Sequence, residues 1–228
     1  MKTAVFINGE EAKESLPLIG KIFIDAGARK GELLNGSFFN PDLSVRRDRK
    51  ITSVDSFEGS HMVLIEPDEN HFEDLCEVAK IASKRLLSVS VFSAALWDSN
   101  DGVTFYRSEG KASDYGSTAL SDKINPYEHD YERLVTENPL KVDTIDVIDL
   151  MQKIDGDVYF KTDTEGGEYV ILPRLLDSSE SSKLKGLFVE WHDAFFPDRH
   201  KNFANMYLEK MKELITNGLE YSTWPAEW

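Results

Sequence analysis

KIFIDAGARKG (residues 21–31) and VLIEPD (63–68) are the two stretches whose reading decides the fold. In the first, a β-branched and aromatic run ends on Asp25, and Gly27 follows almost at once. That suits a strand that turns sharply and brings its backbone close to a ligand. Gly31 completes an Asp25-x-Gly27-x-x-x-Gly31 pattern. An acidic residue at this strand end suits a cationic amine better than a pyrophosphate. The spacing G-x-G-x-x-G is absent, which disfavours a nicotinamide cofactor and an oxidoreductase. The second stretch places Glu66 at another strand end, where a carboxylate can accept both hydroxyls of a ribose. Asp25 and Glu66 on consecutive strand ends point to an adenosine-type ligand.

Outward from these stretches, LSVSVFS (87–93), DVYFKTD (157–163) and GLFVEWH (186–192) read as further short strands. Helix-period segments lie between several of them: FEDLCEVAKIASKRL (72–86), VIDLMQKI (147–154) and EYVILPRLLDSSE (168–180). A helix at about 200–217 and a strand-like LEYSTW (219–224) follow. Continuous apolar strands alternating with helices predict one α/β domain over 1–228, its mostly parallel sheet covered by helices on both faces. Ligands collect beyond the carboxyl ends of such strands. Asp25, Glu66, Asp163, Glu190 and His192 all fall there. Two polar segments interrupt the alternation, at about 35–60 and 108–139, and are expected to border the acceptor side of a cleft. The first carries a basic run, RRDRK (46–50), that reads as a solvated loop or as a clamp for an anionic acceptor.

Composition narrows the partners. With 41 acidic and 26 basic residues the formal net charge is −15, a field that repels phosphate backbones and anionic lipid. Neither nucleic acid nor membrane is expected as a partner. Cys76 is the single cysteine, so no internal disulfide is possible, and its helix-period setting reads as a small core residue. The N-terminal MKTAVFINGEEAKE turns acidic where a signal peptide needs its apolar stretch. A soluble, cytoplasmic protein is expected.

Seven blocks, in order from Ile22 to His192, carry a resemblance. FIDAGARKG (23–31) resembles the first motif of the FkbM-type methyltransferases, and VLIEPDENHFEDL (63–75) their second. SVFSAALWDSNDGVTFY (90–106), SDYGSTAL (113–120) and VDTIDVIDL (142–150) are similar to their middle blocks. FKTDTEGGEYVIL (160–172) resembles their Lys-x-Asp-x-Glu-Gly-x-Glu signature, the most specific of the set, and FVEWH (188–192) their Glu-x-His strand. The resemblance implies a Rossmann-like class I methyltransferase fold, S-adenosyl-L-methionine as donor, and O-methylation of a sugar or natural-product hydroxyl. It also implies that Asp25, Gly27, Ala28 and Gly31 lie against the donor's methionine part, that Glu66 holds its ribose, and that Ala94, Ala95 and Leu96 flank its adenine. Three departures stand out. Arg29 occupies the place of the family's usual Asn, the Asp25–Glu66 spacing is about twice the norm, and no room remains for the last antiparallel strand. The rival reading is a catalytically inactive, nucleoside-binding module.

Methyl transfer to a hydroxyl needs alignment and a base. Asp163 and His192 are the first candidates, followed by Glu165 and Glu190; the same four can hold a divalent cation, a choice the sequence leaves open. Gly166 and Gly167 are expected to bring their loop close to the ligand. Lys161 reads as structural or paired with a carboxylate. His61, His71, His129 and His200 lie among polar residues and read as solvated. The aromatics of FFPDRH (195–200) and YSTWPAEW (221–228) read as stacking faces for a sugar or as packing.

Overall fold

The computed structural model describes residues 1–31, 34, 57–109, 116–124, 133–134 and 139–223. Its strands are β1 (Thr3–Ile7), β2 (Glu10–Glu11), β3 (Leu18–Ala26), β4 (His61–Glu66), β5 (Ser88–Ser93), β6 (Ala95–Trp97) and β7 (Val103–Phe105). They continue as β8 (Ser108–Glu109), β9 (Arg133–Leu134), β10 (Leu140–Val142), β11 (Thr144–Asp146), β12 (Ile154–Thr162), β13 (Leu184–Val189) and β14 (Glu220–Thr223). The α-helices are α1 (Phe72–Ala82), α2 (Val147–Gln152), α3 (Glu168–Leu176) and α4 (Pro197–Thr216).

Eight strands form one sheet in the order β14-β13-β12-β3-β4-β5-β1-β2. The six from β14 to β5 run parallel, and β1 and β2 add antiparallel at the far edge. After the edge hairpin of β1 and β2, the chain enters the middle at β3, steps out to β5, then crosses back to β12 and steps out the other way. The order therefore reverses between β3 and β12, and a crevice opens at such a reversal, outside the strand ends.

Alternation along each strand builds two cores, because successive side chains point to opposite faces. Ile22, Ile24, Val63, Ile65, Val158 and Phe160 face α2, α3 and α4, whereas Phe23, Met62, Leu64 and Tyr159 face α1. Helix α4 contributes Phe203, Tyr207 and Met211, each four residues after the last and all buried. The predicted α/β sheet with helices on both faces is present.

Two features go beyond expectation, the N-terminal hairpin and the buried Phe57, and one expectation is met in the C-terminal tail. The N-terminus forms a hairpin: Asn8 and Gly9 both have positive φ, 53° and 82°, as a two-residue type I′ turn requires. The strand-like tail becomes β14, parallel to β13, and no antiparallel strand lies beyond it among the described residues. The segment taken as polar through residue 60 ends inside the core, with Phe57 edge-on to Phe23 at 4.8 Å and to Tyr159 at 5.2 Å. An aromatic side chain of that size gains more from burial than its polar neighbours lose by following it. No helix among the described residues is long and apolar enough to cross a membrane.

Candidate functional site

Each central strand keeps hydrogen-bonding just past its end. Gly27 N donates to Ile65 O (3.0 Å), Asp163 N to Ala26 O (3.0 Å), Glu190 N to Thr162 O (2.9 Å) and Ala94 N to Glu66 O (3.1 Å). The loops that carry the candidate residues are thus laid side by side across the crevice. Gly27 has φ +80°, and a Cβ there would lie 1.7 Å from the carbonyl oxygen of Asp163. Glycine is obligatory at this contact. Gly31 (φ +76°) is set against the side chain of Val78 on α1, and Ala28 is buried in the α1-side core.

Asp25 is fully buried, so its carboxylate reaches the crevice only through its partner. That partner is Lys161, whose Nζ lies 3.0 Å from Asp25 Oδ1 and 3.3 Å from Asp163 Oδ2, and donates to Gly27 O at 3.1 Å. Burial works against the ammonium, but the carboxylates of Asp25 and Asp163 outweigh it and hold Lys161 above its ordinary range. The expected pairing of Lys161 is observed, and the pair ties both crevice loops together.

Glu66 ends β4 as expected. Its Oε2 accepts from Arg29 N (2.9 Å) and its Oε1 from Asp68 N (2.8 Å). Burial pushes its carboxyl up to about 7. Arg29 adopts a left-handed backbone (φ 48°), a conformation Asn enters more readily. The contact to Glu66 is made by the main chain, so the Asn-to-Arg departure leaves it intact. Arg107 grips both Asp68 carboxylate oxygens, at 2.6 and 3.0 Å, and fixes the turn that supplies one of these N–H groups. Ala94, Ala95 and Leu96 follow β5, all buried, with Ala94 and Leu96 in the larger core.

On the other side of the crevice, Asp163, Glu165 and His192 offer ligand atoms that all lie within 4.8 Å of one another. This trio is where a divalent cation would bind; Glu190 is outside it. His192 Nε2 faces Glu165 Oε2 at 3.5 Å and Asp163 Oδ1 at 3.9 Å. Its Nδ1 is 3.0 Å from Glu168 Oε1, which also accepts from the His192 backbone N–H. Burial disfavours the imidazolium, but Glu168 and Glu165 outweigh it and lift His192 well above 6.5. Glu165 is held down at about 2: burial opposes the charge, and His192 with Lys123 overcomes it. Glu190 goes the other way, up to about 8, through burial and the nearby Asp163 charge.

The sequence reading missed Glu168, Lys123, Thr118 and Arg107. Glu168 is the last residue of KTDTEGGE and is fully buried, so its signal was present as a motif position without a role. Both Lys123 and Thr118 come from the 108–139 segment; Thr118 lies in the SDYGSTAL block without a role attached, and nothing local marks Lys123.

Several expectations are corrected. His61 and His71 are buried, not solvated; His61 starts β4 and its Nδ1 lies 2.8 Å from Ser88 Oγ on the neighbouring strand. His200 is half-buried against Tyr169 and Trp191. Gly166 and Gly167 make room for protein rather than ligand: a Cβ on Gly166 would meet Phe196 at 2.4 Å, and one on Gly167 would meet Thr164 at 2.7 Å. Phe196 is therefore packing, not a sugar platform. The basic run 46–50 and His129 lie outside the described residues.

No curated protein and no solved structure matches this sequence. The family model described as the methyltransferase FkbM domain matches residues 25–215, the span that contains both sides of the crevice. The chain belongs to that family and is a methyltransferase.

Proposed function

We propose that the chain is an S-adenosylmethionine-dependent O-methyltransferase on a Rossmann-like class I fold, acting in the cytoplasm on a hydroxyl of a sugar or a similar small polyol or glycan. One observation carries the reading: the buried Glu66 carboxylate, the side-chain-free Gly27 and the Asp163–Glu165–His192 cluster all lie past the strand ends on either side of the reversal between β3 and β12. The donor fits the first. Each Glu66 oxygen accepts one main-chain N–H and keeps a second lone-pair direction for a ribose hydroxyl. Gly27 provides side-chain-free backbone beside it, and Asp25 acts through Lys161 by holding that loop in place.

When bound, the donor supplies a sulfonium-activated methyl group. The residues align the acceptor and take its proton. His192 faces Glu168 at Nδ1 and Glu165 at Nε2, and both carboxylates favour its imidazolium against the opposing effect of burial, which disfavours His192 for this task. Glu165 is a weak base at about 2 and is paired with Lys123. Glu190 carries a proton up to about 8. Asp163 remains, with a side chain 27% exposed to the crevice and Gly27 packed against its backbone. Asp163 is the proposed base, with His192 and Glu165 orienting it and the acceptor.

Calorimetry with S-adenosylhomocysteine and, separately, NAD tests the donor. We expect binding of the first, abolished or weakened by Glu66→Ala by ~1–3 kcal/mol through loss of an acceptor for buried hydroxyls. Binding of NAD alone would refute the reading.

A further inference from the structure

We propose that Lys123 supplies the positive charge of the acceptor site, standing on the Glu165 side of the position that a divalent cation would take. This rests on the reading that the acceptor reacts beside Asp163. Lys123 Nζ donates to Glu165 Oε2 at 2.9 Å and to Gly116 O at 2.6 Å, and lies 4.8 Å from the centre of the Phe195 ring. Its side chain is only 7% exposed. Glu165 Oε2 is the same atom that faces His192 Nε2, so the ammonium adjoins the Asp163–Glu165–His192 cluster through Glu165.

The segment that delivers Lys123 is anchored at four other points. Thr118, fully buried, donates through Oγ1 to Glu165 O at 2.6 Å. Leu120 enters the larger core, Ile124 N donates to Phe195 O at 3.0 Å, and Asp122 takes two hydrogen bonds from Arg199 at 2.7 and 3.0 Å. Lys123 is thus placed, not merely attracted. Glu165 itself has φ 51°, and Thr118 and Lys123 hold it by its backbone carbonyl and its side chain respectively.

Three cationic groups already face four carboxylates in and around the cluster. Lys161 answers Asp163 as well as Asp25, His192 answers Glu168, and Lys123 answers Glu165. A dication added here would have to share Glu165 with a buried ammonium, at twice the repulsion of two unit charges. Two of the three Nζ donors are used among the described residues, leaving one for the acceptor oxygen. In the transfer the acceptor O–H proton goes to Asp163, the new O–CH3 bond forms as the S–CH3 bond breaks, and the sulfur leaves as a neutral thioether. Lys123 changes no bond; it stabilises the negative charge that grows on the acceptor oxygen.

Mn2+ is the probe, followed by the electron paramagnetic resonance of the free ion. Wild type should leave millimolar Mn2+ free. Lys123→Met should bind it at least ~10-fold more tightly, the order expected on removing a unit charge from beside a dication, and His192→Gln in that background should abolish the gain. Lys123→Gln gives the same comparison if the methionine variant fails to fold. Mn2+ bound by wild type at this cluster, or none bound by a folded Lys123 variant, overturns the proposal. Calorimetry with S-adenosylhomocysteine on the same samples reports separately on the donor site.

Discussion

The α-carbon of Gly27 sits so close to the carbonyl of Asp163 that a methyl group between them would have to occupy the same space, 1.7 Å from the oxygen. The loop after β3 and the loop after β12 are therefore one mechanical unit, joined by this contact and by Lys161. Gly27→Ala would be strained twice, once by its φ of +80° and once by the clash. The backbone conformation alone costs ~1–3 kcal/mol. We expect a urea midpoint lowered accordingly and S-adenosylhomocysteine affinity lost with it. Wild-type stability in Gly27→Ala would mean that the two loops separate freely.

Glu168 is the buried acceptor on which His192 is oriented. It accepts from Gly166 N (3.0 Å) and from His192 N (3.1 Å), and faces His192 Nδ1 at 3.0 Å. Glu168→Ala leaves these donors buried without that acceptor, at ~1–3 kcal/mol for each group. A melting temperature many degrees below wild type is expected by calorimetric scan. An unchanged one would show that water or another group replaces the carboxylate at little cost.

What the sequence made legible follows from the range of the interactions. The five central strands are local: each is a short β-branched run ending on a polar residue, and each appears within two or three residues of its expected place. Asp163, Glu165 and His192 were legible as a group because strand ends in a parallel sheet share one edge. The roles of Asp25 and Glu168 were not. Both are carboxylates that look exposed in the sequence, and only long-range pairing with Lys161 and His192 explains how they are buried. Lys123 is further still from any local signal, being 42 residues from Glu165 in a polar stretch. The N-terminal hairpin, by contrast, carries a local signal in Asn8-Gly9 that the expected fold left out.

Glu66 gives the stability a pH dependence of definite sign. Its carboxyl is raised from 4.5 to about 7 in the folded protein, chiefly by burial. The folded state therefore holds this proton more tightly than the unfolded chain does. The associated stability is fully present below the unfolded value and is lost as pH rises through about 7, by a few kcal/mol, on the order of 3. Glu66→Ala removes the titration and adds a pH-independent cost for Arg29 N and Asp68 N. The difference in unfolding free energy between wild type and variant, measured in urea from pH 5 to pH 8, should shrink with rising pH. Parallel curves would show that Glu66 is as easily ionised in the folded protein as in the unfolded chain.

Asp163→Asn tests the base. The amide matches the carboxylate in size, Lys161 keeps Asp25 as its partner, and Gly27 meets only the backbone of residue 163. Folding and S-adenosylhomocysteine binding should survive. Proton removal should not, because an amide oxygen is a far poorer acceptor, and general-base effects run from ~100-fold upward. We therefore expect turnover, read as S-adenosylhomocysteine released with a panel of sugars and glycans, to fall at least ~100-fold at unchanged donor affinity. Lys123→Met should lower turnover too, again without loss of donor binding, and EDTA should leave the wild-type rate unchanged. Activity lost to EDTA and restored by magnesium or manganese would assign Asp163 to a cation instead. Near-wild-type turnover by Asp163→Asn would move the base elsewhere in the crevice, and Glu190, raised to about 8 by burial and the neighbouring Asp163 charge, would be the next to replace.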